Sequence, residues 1–168
     1  MQGRTSKVSK TKLSGRSPTR DDVLDDGESR LKFRKNDERA FSPQRSSFGA
    51  AGLDLKSFTE VEILAGSSAI VDTGLSFELH RGTYGQIASR SGLAFKSNIR
   101  AFPGIVDWDF RGPIKLLLYN LGKQNYKVKV GDKVAQLIIV KIDEPRVVEV
   151  AELGDTFRGE KGFGSSGR

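Results

Sequence analysis

From residue 40 onward the chain alternates short apolar-rich runs with turn residues, and no run sustains a helical period. Seven runs read as strands: LDLKSF (53–58), SAIVDT (68–73), LSFELH (75–80), YGQIAS (84–89), IKLLLYN (114–120), YKVKV (126–130) and VAQLIIVKI (134–142). Short strands at this spacing, each bounded by turn residues, predict an all-β sandwich or barrel. Alternation is plainest in YKVKV, where Tyr126, Val128 and Val130 are expected on one face and Lys127 and Lys129 on the other. The turn at Gly131-Asp132 then opens the next strand. Only SGLAFKSN (91–98) has room for one or two turns of helix.

Upstream of this region the pattern fails. Residues 1–36 are rich in Ser, Thr, Lys, Arg and Asp and hold few large apolar groups, so they cannot bury enough surface to offset ordering entropy. The expected organisation is a disordered extension over 1–36, a β domain over 37–157 and a glycine-rich arm over 158–168.

Composition changes this picture in two respects. The net charge is +7 and the pI about 9.7, yet residues 1–20 carry six Lys/Arg and no acid, while residues 51–168 carry 16 basic and 14 acidic groups. The β domain is therefore nearly neutral, and a nucleic-acid partner is not required. The basic stretch from Arg4 to Arg20 reads as a solvated tail, with a nuclear-import signal or a nucleic-acid contact as alternatives. Second, the chain has no cysteine, which excludes disulfides and thiolate metal sites. With no apolar run near about 18 residues, no membrane partner is expected, and the default is a soluble intracellular protein, cytoplasmic or nuclear.

Candidate chemistry sits in five segments. The end of the chain, RGEKGFGSSG (158–167), combines flexible glycines that aim N–H groups at an anion, a guanidinium at Arg158 that forks onto phosphate, and a ring at Phe163 that lies on a base. A frayed terminus is the plain alternative. ASRSGLAFK (88–96) places Arg90, Ser91 and Gly92 together, a set suited to phosphate. GIVDWDFRG (104–112) offers Asp107 flanked by apolar residues, with Phe110 three residues on; a carboxylate there either activates water or satisfies a turn. AAGLDLKS (50–57) carries Asp54 behind small residues, and GDKVAQLII (131–139) carries Gln136 inside an apolar strand. Asp54 supports either a metal's water shell or an ion pair, and Gln136 either touches ligand or cross-links backbone.

These five segments, in this order and at these distances, resemble the five motifs of the trimeric deoxyuridine triphosphate nucleotidohydrolases, the dUTPases. The likeness covers about residues 40–168, including the SPQR run at 42–45, and leaves out residues 1 to about 36. It implies a distorted jelly roll of the β-clip kind, assembled as a homotrimer with shared active sites. It also implies hydrolysis of dUTP to dUMP and pyrophosphate, which keeps uracil out of DNA and supplies dUMP for dTMP synthesis. Asp107 would activate the water that attacks the α-phosphorus. Phosphates would meet Arg90, Ser91, Gly92 and Gln136, together with Arg158, Gly164, Ser165 and Ser166 from the arm. Uracil and deoxyribose would sit in a hairpin from Ile99 to Phe110, against Gly104, Ile105 and the ring of Phe110, with Phe163 closing over the base. Mg²⁺ would ride on the triphosphate and meet Asp54 only through water.

The sequence departs from that pattern in places. Phe110 stands where Tyr is usual, Pro103 at the hairpin tip offers no N–H, Trp108 replaces a small or polar residue, and Ser89 sits where Pro is common. None removes a catalytic group. A second reading keeps the fold as a regulatory or binding protein with altered catalysis. His80, the single histidine, has no partner motif and reads as a surface residue.

Overall fold

The computed structural model describes residues 30–160. In chain order its elements are β1 (Lys32–Lys35), β2 (Leu53–Lys56), β3 (Val61–Ile63), β4 (Ser68–Asp72), β5 (Leu75–Glu78) and β6 (Thr83–Ala88). There follow the helix α1 (Ser91–Ser97), β7 (Ile99–Ala101), β8 (Gly104–Val106), β9 (Lys115–Asn120), β10 (Tyr126–Val128) and β11 (Lys133–Lys141). Every pairing is antiparallel, and the strands form sheets ordered β1-β5, β10-β3, β2-β11-β6-β8 and β4-β9-β7. This is the expected all-β architecture, a distorted jelly roll with one short helix.

Alternation in the sequence builds the core. Along β9, Leu116, Leu118 and Asn120 point inward between the more exposed Lys115, Leu117 and Tyr119, and they belong to a core that also holds Leu55, Ile63, Val71, Leu75, Ile99, Val128, Val134 and Leu137, none more than 1% exposed. Asn120 is a buried polar residue with all its needs met. Its Nδ2 donates to the carbonyls of Ile63 (2.9 Å) and Gln124 (2.8 Å), and its Oδ1 accepts from the Gly122 amide (3.0 Å). Leaving such a group unpaired costs about 1–3 kcal/mol, so these bonds fix the β9–β10 loop to the core.

The sheet β2-β11-β6-β8 positions the chemistry. Gln136 of β11 is paired with Asp54 of β2 on one side and with Ala88 of β6 on the other, and directly opposed residues share a face of the sheet. One row thus runs from Asp54 through Gln136 to the end of β6, where Arg90 and α1 begin. A bulge inserts Val134 between Lys133 and Ala135 in the register with β2, which re-aims the start of β11. Ahead of it the Lys129 carbonyl accepts the Asp132 amide at 3.1 Å, with Gly131 at φ +88°, so the turn needs its glycine.

Three expectations are corrected. β1 occupies part of the expected disordered extension: Lys32–Lys35 pairs along its whole length with β5, and residues 1–29 lie outside the described residues. Ile99–Phe110 is not a hairpin, because β7 pairs with β9 and β8 with β6, so the chain changes sheets at Phe102-Pro103. Val130 does not share the face of Tyr126 and Val128; β10 ends at Val128 and Val130 enters the turn, 56% exposed. The regular elements end at Lys141, as the last predicted strand leads one to expect. From Ile142 to Glu160 the chain has no strand or helix and every residue is exposed.

Candidate active site

The segments 50–57, 88–96 and 131–139 converge on one pocket of about 180 Å³, lined by Ser46, Ala50, Gly52, Asp54, Arg90, Ser91, Gly92 and Gln136. Arg90 is its central charge. The guanidinium is held from two sides: Nε donates to Asp54 Oδ1 at 2.8 Å and Nη1 to the Lys133 carbonyl at 3.2 Å. The other carboxylate oxygen of Asp54 meets Lys133 Nζ at 2.8 Å and the Ser46 hydroxyl at 2.5 Å. Asp54 is only 6% exposed. Burial by itself would raise its pKa, but the Lys133 ammonium, the Ser46 hydroxyl and the Arg90 guanidinium together hold it below the ordinary carboxylate value.

This geometry favours the ion-pair reading of Asp54, since both its oxygens are engaged. Among the described residues no three His, Asp or Glu side chains converge as metal ligands. Both Asp54 oxygens are already bonded to Arg90, Lys133 and Ser46, so a divalent ion at this pocket would meet that carboxylate through water. Gln136 cross-links backbone, Nε2 donating to the Ser89 carbonyl at 3.0 Å, and the residue also lines the pocket. A Cβ on Gly52 would come within 2.2 Å of Gln136 Oε1, which is why the small residue before Asp54 is glycine.

GIVDWDFRG builds a second pocket of about 290 Å³, whose lining includes Ile87, Gly104, Ile105, Asp107, Phe110 and Ile114. It is mostly apolar, and Asp107 supplies its carboxylate. A turn carries that residue: the Asp107 carbonyl accepts the Phe110 amide at 3.1 Å, and Arg111 Nη1 donates to the carbonyls of Trp108 (2.7 Å) and Phe110 (3.1 Å). The Asp107 side chain itself is exposed. Phe110 is 45% exposed and lies so close to Gly112 that a Cβ there would stand 2.5 Å from its ring, which argues against an ordinary core aromatic. A larger recess of about 530 Å³ beside Lys96, Asn98, Gly122 and Tyr126 contains none of the predicted site residues.

The two pockets share no lining residue. On one chain the structure brings together Asp54, Arg90, Ser91, Gly92 and Gln136, and separately Gly104, Ile105, Asp107 and Phe110. Arg158 is exposed in the C-terminal run, whereas Phe163, Gly164, Ser165 and Ser166 lie outside the described residues. Sequence reasoning missed Ser46 and Lys133. Lys133 lies within a segment already marked, but its reach to Asp54 depends on a bulge that no local signal announces. His80 is exposed, as expected. No helix among the described residues is long and apolar enough to cross a membrane.

Known proteins match this arrangement closely. The family model for dUTPase matches residues 38–167. The chain is 47% identical over 139 residues to the deoxyuridine 5'-triphosphate nucleotidohydrolase of Paramecium bursaria Chlorella virus 1, covering 83% of this chain and 99% of that protein. It is 46% identical over 137 residues to the enzyme of the same name from Arabidopsis thaliana, covering 82% of each. Among solved structures it resembles a variant of the Staphylococcus bacteriophage 80alpha dUTPase with dUpNHpp, at a TM-score of 0.78 and 25% identity, covering 84% of this chain and 100% of that one. A variant of the phage phi11 dUTPase of S. aureus, described for its coordination of a structural Mg(II) ion, matches at a TM-score of 0.72 and 25% identity over 76% of this chain and 100% of that one. Sequence motifs, fold and relatives agree: the chain belongs to the dUTPase family.

Proposed function

We propose that this protein is a dUTP diphosphatase, which hydrolyses dUTP to dUMP and pyrophosphate. The observation that carries the reading is the division of labour between its pockets. One is a polar cradle around an immobilised guanidinium; the other is an apolar slot with a carboxylate at its mouth.

Arg90, Ser91, Gly92 and Gln136 bind the phosphate chain. Because Asp54 and the Lys133 carbonyl already fix Arg90, little side-chain entropy is lost when phosphate arrives. Uracil enters beside Gly104 and Ile105, where backbone groups complement its edge. A tight backbone site rejects cytosine by leaving polar groups unpaired and thymine by blocking its methyl group. Phe110 packs against the sugar where a ribose hydroxyl would clash. Asp107 orients a water and takes its proton as the oxygen bonds to the α-phosphorus, and the bond to the β-phosphate oxygen breaks to release pyrophosphate. Asp54 is the carboxylate of the pocket wall that would meet, through water, a Mg²⁺ ion brought by the triphosphate, and such an ion would supply charge neutralisation at the phosphates.

A single chain holds the two pockets apart, so the complete site is formed in a homotrimer, with the phosphate pocket of one copy facing the Asp107 slot of another. The C-terminal arm closes it. Arg158 adds charge to the phosphates, Phe163 covers the base, and Gly164, Ser165 and Ser166 line the phosphate chain. Residues ahead of β1 form an extension outside this machinery, with contact to nucleic acid as an optional role.

The test is direct. Purified protein is incubated with each deoxynucleoside and ribonucleoside triphosphate plus Mg²⁺, and pyrophosphate release is measured. Release from dUTP alone supports the reading; release from dCTP or UTP at a comparable rate refutes it. Sharing of sites is tested by mixing Asp107→Asn chains with chains truncated after Phe157. Activity recovered on exchange supports shared sites, and none in proven mixed assemblies refutes them.

A further inference from the structure

Two exposed phenyl rings stand on the segments that line the Arg90 pocket, and the proposed mechanism uses neither. Phe48 is 105% exposed and Phe95 is 88% exposed. Isolated exposed apolar residues are ordinary, but these two are held by rigid frames. Phe48 rides a loop whose flanking residues Ser46 and Ala50 line the pocket. That loop is closed by the Ala50 amide donating to the Ser47 carbonyl at 3.1 Å, and by Arg45 Nη1 donating to the carbonyls of Ala50 and, at 2.7 Å, of Ala51. Phe95 lies on α1 at i+4 from Ser91 and i+3 from Gly92. Those two residues line the same pocket, so Phe95 shares their side of the helix.

The C-terminal run has the complementary problem. Leu153 is 87% exposed and Phe157 108% exposed, so its apolar groups are not covered by their own fold. Between residues 142 and 157 it carries five acids against Arg146, whereas the segments that carry the two rings and line the pocket, 45–54, 90–96 and 133–136, hold Arg45, Arg90, Lys96 and Lys133 against Asp54. Adjacent Cα atoms are about 3.8 Å apart, so when Arg158 reaches a phosphate in the pocket, Phe157 must arrive at its lip.

We infer that Phe48 and Phe95 form an aromatic dock for Phe157 of a second copy of this chain, and so set how firmly the arm closes over the phosphate pocket. They are positioning residues: they touch neither the nucleotide nor the attacking water, and act by holding Arg158 in place. The inference rests on the assignment of Arg158 to the phosphates. Aromatic contacts of this kind change an equilibrium by about tenfold.

The experiment follows the closed arm by trypsin cleavage after Arg158, read by mass spectrometry with and without dUpNHpp, beside kcat/KM for dUTP. In the wild type the analogue protects the bond. In the Phe48→Ser, Phe95→Ser double variant, protection and kcat/KM both fall by about tenfold. Phe157→Ala does the same, and adding it to the double variant costs nothing more, because the partners are already gone. Mixing Phe157→Ala chains with the double variant pairs intact docks with intact arms, and restores protection of the Phe157-bearing arm. Full protection in the double variant, additive losses, or no restoration on mixing overturns the dock while leaving the Arg158 clamp standing. No protection even in the wild type overturns the clamp and the dock together.

Discussion

Around Arg90 every charged group is already gripped by another, whereas around Asp107 the group assigned to the chemistry stands at the surface. Arg90, Asp54, Lys133 and Ser46 form one interlocked set beneath the phosphate pocket, with Asp54 buried at its centre. The Asp107 turn is held by its own backbone bond and by Arg111, whose guanidinium meets the Trp108 and Phe110 carbonyls, and Asp107 itself is exposed beside an apolar slot. The difference separates binding from reaction. On the proposed function, phosphate binding is prepared within one chain, and Asp107 gains its surroundings when other copies and the arm enclose it.

Breaking the reactive side has the largest expected effect. Asp107→Asn should lower kcat by about 10²- to 10⁴-fold, because the amide cannot take the proton, while thermal stability and analogue affinity stay near wild type. Steady-state kinetics beside calorimetric titration with dUpNHpp checks this. A variant with more than half of wild-type kcat would remove Asp107 from the mechanism. The next largest effect concerns what encloses that carboxylate. Truncation after Phe157 should lower kcat/KM by at least about a hundredfold, through loss of charge at the phosphates and of water exclusion, with the melting temperature unchanged. An unchanged kcat/KM would make the arm a frayed end.

Breaking the gripped side should look different. Asp54→Asn removes one partner from two ion pairs and leaves Arg90 and Lys133 without their counter-charge. Losing one member of a buried pair costs about 3–5 kcal/mol, and the expected loss here is nearer about 2 kcal/mol, because Lys133 is 40% exposed and solvent screens it. Stability and dUTP affinity should therefore fall together, in contrast to Asp107→Asn. Urea unfolding and dUpNHpp titration of the two variants test the contrast. If Asp54→Asn lowers kcat alone, the comparison between the two pockets is wrong.

How much of this was legible in the sequence follows from the range of the forces involved. Period-two alternation and glycine turns act locally, so seven of the eleven strands among the described residues, and the one short helix, were readable from their own residues. The grouping of Arg90, Ser91, Gly92 and Gln136 was legible only through the family resemblance, since their convergence depends on β11 lying between β2 and β6. Three features were not legible. β1 reads as polar chain because Lys32–Lys35 is exposed on both faces and is a strand by virtue of pairing with β5. The Ile99–Phe110 segment has hairpin spacing, yet each arm finds a better partner in another sheet. Lys133 reaches Asp54 because Val134 bulges, a register effect set by two strands and not by one.

The smallest predicted effect isolates the Asp54 carboxylate by titration. Its pKa lies below the ordinary value of 3.8 in the folded chain, so the folded state binds fewer protons than the unfolded state as pH falls through that region. The stabilisation is fully present above about pH 5 and is lost as pH drops below 3.8 toward the folded value. Other acids are also held down, among them Asp37, lowered to about 2 by hydrogen bonds from Arg39, so the acid limb of the wild type alone is not diagnostic. These groups are common to wild type and Asp54→Asn, and they cancel in the difference between the two. That difference in unfolding free energy should be flat above about pH 5, then shrink with a slope of at most about 1.4 kcal/mol per pH unit, the limit for one proton. A gap that stays constant down to the acid transition would mean that the ionised carboxylate contributes nothing. The grip on Arg90 would then rest on the shape of the side chain alone, and the contrast with Asp107 would be one of packing and not of charge.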